Sequence, residues 1–427
     1  MSERRIKPVS RVDGNIRVPG DKSISHRALI FNAIAKGESR ITGLLNSADV
    51  KSTENCLKQL GVSIEDHENG KKIIGRGIEG LEQPSEPLNA GNSGTTIRLL
   101  SGVLASLPFV TEITGDESLI NRPMRRIIEP LEQMYATVES DNYRAPLKIR
   151  GGHLNAIDYS TRISSAQVKS CILLAGLSAK GMTQITEPYR SRDHSERMLS
   201  DMQVTIKQTQ TIVAIKGPTV PVACDIDVPG DISAAAFFIA AAALLPDSEL
   251  LLENVGINPA RTGVLDALSA MGAQFQYKNQ VEINREPRAD IRVISSKLNS
   301  THISGPMIPS IIDEIPILAV AATQAHGTTT IRDAGELRVK ESDRISALVD
   351  NLKRMGADVR EKKDGLVIKG PVQLKGAEID SYKDHRIAMA FSIAGLIAKG
   401  ETVIKDTDCV SVSFPDFYEK LEHLTRD

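Results

Sequence analysis

Val18-Pro-Gly-Asp-Lys-Ser23 recurs about half a chain length later as Val228-Pro-Gly-Asp-Ile-Ser233. Each copy leads into an apolar run, Ala28-Leu-Ile-Phe-Asn-Ala-Ile-Ala35 in the first and Ala234 to Leu245 in the second. Pro and Gly break the backbone before each run. An echo at half length predicts two domains built to one plan. Residues 20–229 form one domain, and residues 1–19 plus 230–427 form the other.

A shorter unit recurs three times in each half. It is an Ala-rich helix, a small-residue break and an alternating strand, with breaks at Gly37, Pro108, Gly181, Pro246, Gly327 and Gly400. An amphipathic helix and another strand follow, as in Leu57-Lys-Gln-Leu-Gly61 and Leu352-Lys-Arg-Met-Gly356; the sixth copy runs out at Phe417 to Leu424. Gly61, Gly272 and Gly356 suit the position after a helix end, where positive φ is needed. The pattern predicts an α/β fold of six βαβαββ units, three per domain. Helices apolar on every side should be buried on every side, with the sheets outside.

The 427 residues carry a formal charge of −2. That argues against nucleic acid or an acidic membrane as partner. The four cysteines are scattered and the eight histidines lack metal-site spacing, so no metal site and a reducing, cytoplasmic setting are expected. The N-terminus has no apolar signal region, and no apolar window is long enough to span a bilayer.

Charged and small polar clusters stand just before the apolar helices. In the first stretch Ser23 and Ser25 are candidate caps, while Lys22 and Arg27 place positive charge at a helix start that already favours anions. Read alone, this is either an anion site or a capped surface helix. Asn89-Ala-Gly-Asn-Ser-Gly-Thr-Thr-Ile-Arg98 can bring backbone N–H groups close to an anion, but it lacks the ending of a Walker A loop. Arg122 precedes Pro123, which suits the first position of a helix. Ser164-Ser165-Ala-Gln167 reads as an anion-site edge or as an ordinary cap, and the acids of Asp313-Glu314-Ile-Pro316 stand at a cap position. Lys340 and Arg344 share a face if their segment is helical, and Lys383-Asp-His385-Arg386 runs straight into an apolar helix. Convergence of these helix starts would line one cleft with Lys22, Arg27, Arg122, Lys340, Arg344 and Arg386. Asp313 and Glu341 would then handle protons for a highly anionic small molecule, or two of them.

At these residues the chain resembles the 5-enolpyruvylshikimate-3-phosphate synthases over essentially its whole length. The specific marks are Pro19 to Arg27, Gly91 to Thr95, Arg122-Pro-Met124, Ser165 to Ser170, Lys340 to Arg344 and Asp384-His-Arg386. The resemblance implies a two-domain inside-out α/β barrel, the enolpyruvyl transferase fold, with its site in the interdomain cleft. It implies two small-molecule substrates, phosphoenolpyruvate and shikimate 3-phosphate, and a monomer that needs no cofactor.

By the same resemblance Lys22 touches both substrates. Ser23, Arg27, Ser165, Ala166, Gln167, Arg192, Asp313 and Lys340 take shikimate 3-phosphate. Lys22, Gly94, Arg122, Gln167, Arg344 and Arg386 take phosphoenolpyruvate. Asp313 is the base on the 5-hydroxyl, and Glu341 is the acid beside the methylene.

The motifs look like the class II branch. Val412 stands where many members carry a lysine, and Gly94 is not the alanine of some glyphosate-tolerant members, so sensitivity stays open. An enolpyruvyl transferase acting on UDP-N-acetylglucosamine would be favoured by a cysteine in the Arg122 loop, but none lies between Cys56 and Cys171. A non-catalytic anion binder of the same fold is disfavoured by the retained Asp313 and Glu341.

Overall fold

The computed structural model describes residues 2–425. The chain divides into two compact units, one of Gly20–Val228 with Glu282–Glu286, the other of Met1–Pro19, Pro229–Val281 and Pro287–Asp427. The two Val-Pro-Gly-Asp copies therefore straddle the points where the chain passes from one unit to the other.

Three four-stranded sheets form the outside of the unit containing residues 20–228. In each, a short strand lies parallel to the next, followed by two antiparallel ones; one such set is Leu88–Asn89, Val110–Thr114, Arg144–Arg150 and Thr137–Asp141. Along Arg144–Arg150 exposure alternates strictly, with Ala145, Leu147 and Ile149 inward, as a sheet wet on one face requires. The other unit repeats the plan with two four-stranded sheets and one three-stranded sheet.

The first sheet of each unit takes its parallel edge strand from just before a crossing. Asp13–Arg17 pairs with Glu249–Gly256, and Ile226–Asp227 pairs with Lys36–Thr42. The chain's own start completes the last sheet, with Glu3–Ile6 antiparallel to Thr402–Lys405.

Inside lie the Ala-rich helices. In one unit these are Lys22–Ala33, Gly94–Leu104 and Ala166–Gly176; in the other, Ile232–Leu244, Ile315–Ala322 and His385–Ile397. Twelve of the thirteen residues of Ile232–Leu244 are buried, as are all eight of Ile315–Ala322. No face of these two helices is polar, so they are stable only when surrounded. Their neighbours are one another, the inner faces of the sheets and the amphipathic second helices. No single helix among the described residues is long and apolar enough to cross a membrane.

The repeated motif has a local physical cause. A Cβ on Gly20 would lie 1.9 Å from the carbonyl oxygen of Gly43, so only glycine lets the chain pass there. Asp21 then caps its helix by accepting from the Ile24 N–H at 2.9 Å, and Asp231 caps the second copy by accepting from the Ser233 N–H at 2.8 Å. The cap is thus the aspartate and not Ser23 or Ser25. Ser25 is turned inward and accepts from the Leu45 N–H at 3.0 Å.

Two other local expectations are corrected. Pro123 does not begin a helix: the helix is Arg125–Gln133, with Met124 at its N-cap. Lys340–Asp343 is not helical either, since a 3₁₀ turn ends at Val339 and the next helix starts at Arg344, capped by Asp343. Asp343 competes for the backbone N–H groups and starts a new helix there.

Close helix contact tests the inside-out packing. A Cβ on Gly102 would fall 2.2 Å from the carbonyl oxygen of Cys171 on the neighbouring core helix. In an open helix Gly→Ala is worth about 1 kcal/mol of stabilisation. Here the steric term should win, and Gly102→Ala should cost about 1–3 kcal/mol, read as a lower urea midpoint. A raised midpoint would contradict the packing.

Candidate active site

The candidate side chains gather where helices begin, most of them core helices. A helix that is apolar all round can meet water and charge only at its ends, and its N-terminal end carries free N–H groups and partial positive charge. Each unit has such a cluster.

In the unit of residues 20–228, the Lys22 ammonium lies 2.5 Å from Asp49, at the start of helix Ala48–Gln59. Ser23 accepts from Arg192 at 3.4 Å. Arg27 is buried. It donates to the Ser23 carbonyl at 2.9 Å, to Ser195 at 2.8 Å and to Ser170 at 2.8 Å. Arg27 thus ties the Lys22 helix to the Ala166 helix and to helix His194–Asp201, and places fixed charge behind Ser23. A weaker contact at 3.5 Å reaches the Ala166 carbonyl.

Gly94 opens the second core helix, capped by Ser93. A Cβ there would meet the guanidinium of Arg98 at 2.8 Å and that of Arg122 at 3.4 Å, so two guanidinium groups converge on this glycine. Arg122 is held by Asn92 at 2.7 Å and Ser118 at 3.3 Å. Arg98 donates to Gln167 at 2.8 Å, and Gln167 donates to Thr95 at 2.9 Å. Arg98 and Asp49 are the members that sequence reasoning missed. The signal for Arg98 was its place one turn after Gly94 on the same helix.

Ser165 caps the third core helix, and its own N–H donates to Glu187 at 2.9 Å. Glu187 is paired at 3.0 Å with Lys169, which also meets Glu196 at 2.8 Å. Burial lowers the pKa of Lys169, but Glu196 and Glu187 outweigh it and the net shift is upward. A buried charged triad therefore fixes the loop around Ser165.

In the other unit Arg344 is the hub, with its side chain 1% exposed. It donates to Asp384 at 2.8 Å, to Glu341 at 2.5 Å and to Asp313 at 3.3 Å. Burial opposes its charge, but Asp384, Glu341 and Asp313 prevail and raise its pKa further. Burial likewise pushes the Asp384 carboxyl up, while Arg344 more than offsets it, so the net shift is downward. Lys340 reaches Asp313 at 3.4 Å, and Arg386 donates to the Asp313 carbonyl at 3.1 Å. Asp313 itself does not cap the next helix; Glu314 occupies the N-cap. Val412 ends a 3₁₀ turn, half-buried.

The two clusters differ in kind. Among the side chains named, cations outnumber acids around Lys22, and acids interleave with cations around Arg344. The first suits holding anions; the second suits moving protons beside them.

A protein-family model described as EPSP synthase (3-phosphoshikimate 1-carboxyvinyltransferase) matches residues 6–421. The chain belongs to the EPSP synthase family. It is 49% identical to the 3-phosphoshikimate 1-carboxyvinyltransferases of Bacillus thuringiensis (strain Al Hakam) and Bacillus cereus (strain ATCC 10987 / NRS 248), over all of both chains in each case. The structure of EPSP synthase from Acinetobacter baumannii superposes with a TM-score of 0.89 at 43% identity, covering 99% of this chain and 98% of that one. The enolpyruvyl transferase NikO from Streptomyces tendae shares the fold at 18% identity and a TM-score of 0.79, covering 99% and 97%. The fold is the inside-out α/β barrel of enolpyruvyl transferases. The family's activity, enolpyruvyl transfer to shikimate 3-phosphate in aromatic amino-acid biosynthesis, makes this chain an enzyme of the shikimate pathway.

Behind the anion cluster runs a buried chain of polar groups. His26 Nδ1 meets Thr53 at 2.7 Å, Thr53 meets Thr96 at 2.6 Å, and Thr96 donates to the capping Ser93 at 2.7 Å. Burial first, then Lys22 and Arg27, hold the pKa of His26 well below its ordinary 6.5. The folded ring stays neutral while the unfolded ring takes a proton below that value. Stability from this group is therefore complete above about pH 6.5 and declines as pH falls below it. Thermal unfolding followed from about pH 7.5 to about pH 5.5 should show a steeper loss for wild type than for His26→Gln. Equal slopes would show that His26 is not the titrating group.

Proposed function

We propose that the two clusters act on one pair of substrates, transferring the enolpyruvyl group of phosphoenolpyruvate to the 5-hydroxyl of shikimate 3-phosphate. Lys22 serves both substrates. Ser23, Arg27, Ser165, Ala166, Gln167, Arg192 and Lys340 serve shikimate 3-phosphate, with Arg27 acting from behind Ser23. Gly94, Arg122, Arg344 and Arg386 clamp phosphoenolpyruvate, with Gln167 beside them. Arg98, one turn beyond Gly94, joins that clamp. In this reading the enzyme works as a cytoplasmic monomer.

The reaction needs two like-charged molecules held side by side and two protons moved. Asp313 takes the proton of the 5-hydroxyl as its oxygen adds to C2 of phosphoenolpyruvate. Glu341 delivers a proton to C3. The resulting tetrahedral intermediate returns a C3 proton to the Glu341 carboxylate, the double bond reforms and phosphate leaves with the proton that Asp313 had taken. Fixed guanidinium groups stabilise the phosphate and carboxylate charges throughout without reorganising, and orientation of the two reactants lowers the barrier further.

The observation that carries this reading is Arg344. One buried guanidinium holds both Asp313 and Glu341, so the base and the acid stay registered to a cation of the clamp.

Phosphate should be released only when shikimate 3-phosphate and phosphoenolpyruvate are both present, and folded protein that releases none with both would sink the reading. Asp313→Ala should keep binding of both substrates and lose about 100-fold or more in kcat, the usual worth of a general base. A near wild-type kcat would remove Asp313 from that role.

A further inference from the structure

The second Val-Pro-Gly-Asp copy lacks the lysine of the first, and its sequence alone reads as framework. Its side chains say more. Asp231, Ser233, Arg261 and Glu314 are all buried and form one connected chain. Arg261 donates to Asp231 at 2.9 Å and to Ser233 at 2.7 Å. A guanidinium can only donate, so the Ser233 oxygen accepts there and its own proton is directed elsewhere. That proton goes to Oε1 of Glu314. The same Oε1 lies 3.8 Å from the Arg386 guanidinium. Oε2 of Glu314 has no hydrogen-bond partner among the described residues.

We infer that Glu314 is a positioning residue for the phosphoenolpyruvate clamp, with Ser233 and Arg261 holding it in place. This inference rests on the function proposed above. Three features carry it. Glu314 follows Asp313 directly in the chain, so fixing one carboxylate fixes the backbone that presents the other. Arg386 donates to the Asp313 carbonyl while facing the Glu314 carboxylate, so one guanidinium is seated on both residues. A carboxylate with spare acceptor capacity beside a guanidinium gives that cation a preferred direction at little cost in rotamer freedom. The alternative is that Glu314 only stabilises a buried helix start.

The two accounts separate in steady-state kinetics of the full chain. Glu314→Gln keeps the shape and can still accept from Ser233, but it removes the charge facing Arg386. The KM for phosphoenolpyruvate should rise about tenfold, the worth of one charge-assisted contact, while the KM for shikimate 3-phosphate stays within about twofold. Combining it with Arg386→Lys should give less than the product of the two single effects, because both act on one contact. A lower unfolding temperature with unchanged KM for phosphoenolpyruvate would overturn the inference. Should Glu314→Gln fail to fold, Ser233→Ala reads the same split in the same direction, and an unchanged KM for phosphoenolpyruvate there overturns it equally. Wild-type turnover is the control: its absence would refute the proposed function, whereas turnover with no split refutes only the role of Glu314.

Discussion

Six core helices, buried over most of their length, set the terms for everything else. Such a helix is stable only when surrounded, so the sheets must lie outside and the second helices must fill the gaps. Charge then has nowhere to go along the helix and gathers at its ends. At the N-terminal end it meets unsatisfied N–H groups and the positive pole of the helix. The proposed anion-holding cluster is in this sense a consequence of the core: the more completely the helices are buried, the more their starts become the natural place for anions.

Charge at those starts still has to be held. Isolated buried ions are costly, and both units solve this by pairing. Lys169 sits between Glu187 and Glu196, and Arg344 sits among Asp313, Glu341 and Asp384. Pairing of this kind restrains the side chains it joins. Rigidity is what a clamp for two mutually repelling substrates needs, because donors already in place need not reorganise when charge develops. The mixed network around Arg344 does more than hold. It keeps two carboxylates beside a buried guanidinium, where the proposed mechanism moves protons.

Much of this was legible in the sequence. The half-length echo, the six breaks and the small polar runs before apolar helices point to the fold and to the starts of the core helices, but not to the start of helix Ala48–Gln59, where Asp49 meets Lys22. What stayed hidden depends on direction. Ser23 and Ser25 look like caps, yet Asp21 caps, because its carboxylate, two residues before Ser23, takes the Ile24 N–H. Arg27 looks like a free cation, yet it turns inward to join three helix starts. Lys340 and Arg344 look like helix neighbours, yet they meet through Asp313, a contact no local spacing reveals. Ser233 looks inert beside the Lys-bearing first copy, and its link to Glu314 spans 81 residues.

The central claim is that both substrates are held at helix starts, those of the core helices and of the second helices that open at His194 and Arg344, and not at the far ends of the core helices. Amide hydrogen exchange read by mass spectrometry, with and without shikimate 3-phosphate and phosphoenolpyruvate, tests it most directly. The account predicts new protection in the segments around residues 20–27, 91–98, 164–170, 190–195, 313–317, 340–346 and 384–388. The far ends of the same helices, around Ile34, Ser106 and Leu177, should stay unchanged. Protection centred on those far ends, or none at the helix starts, would contradict it.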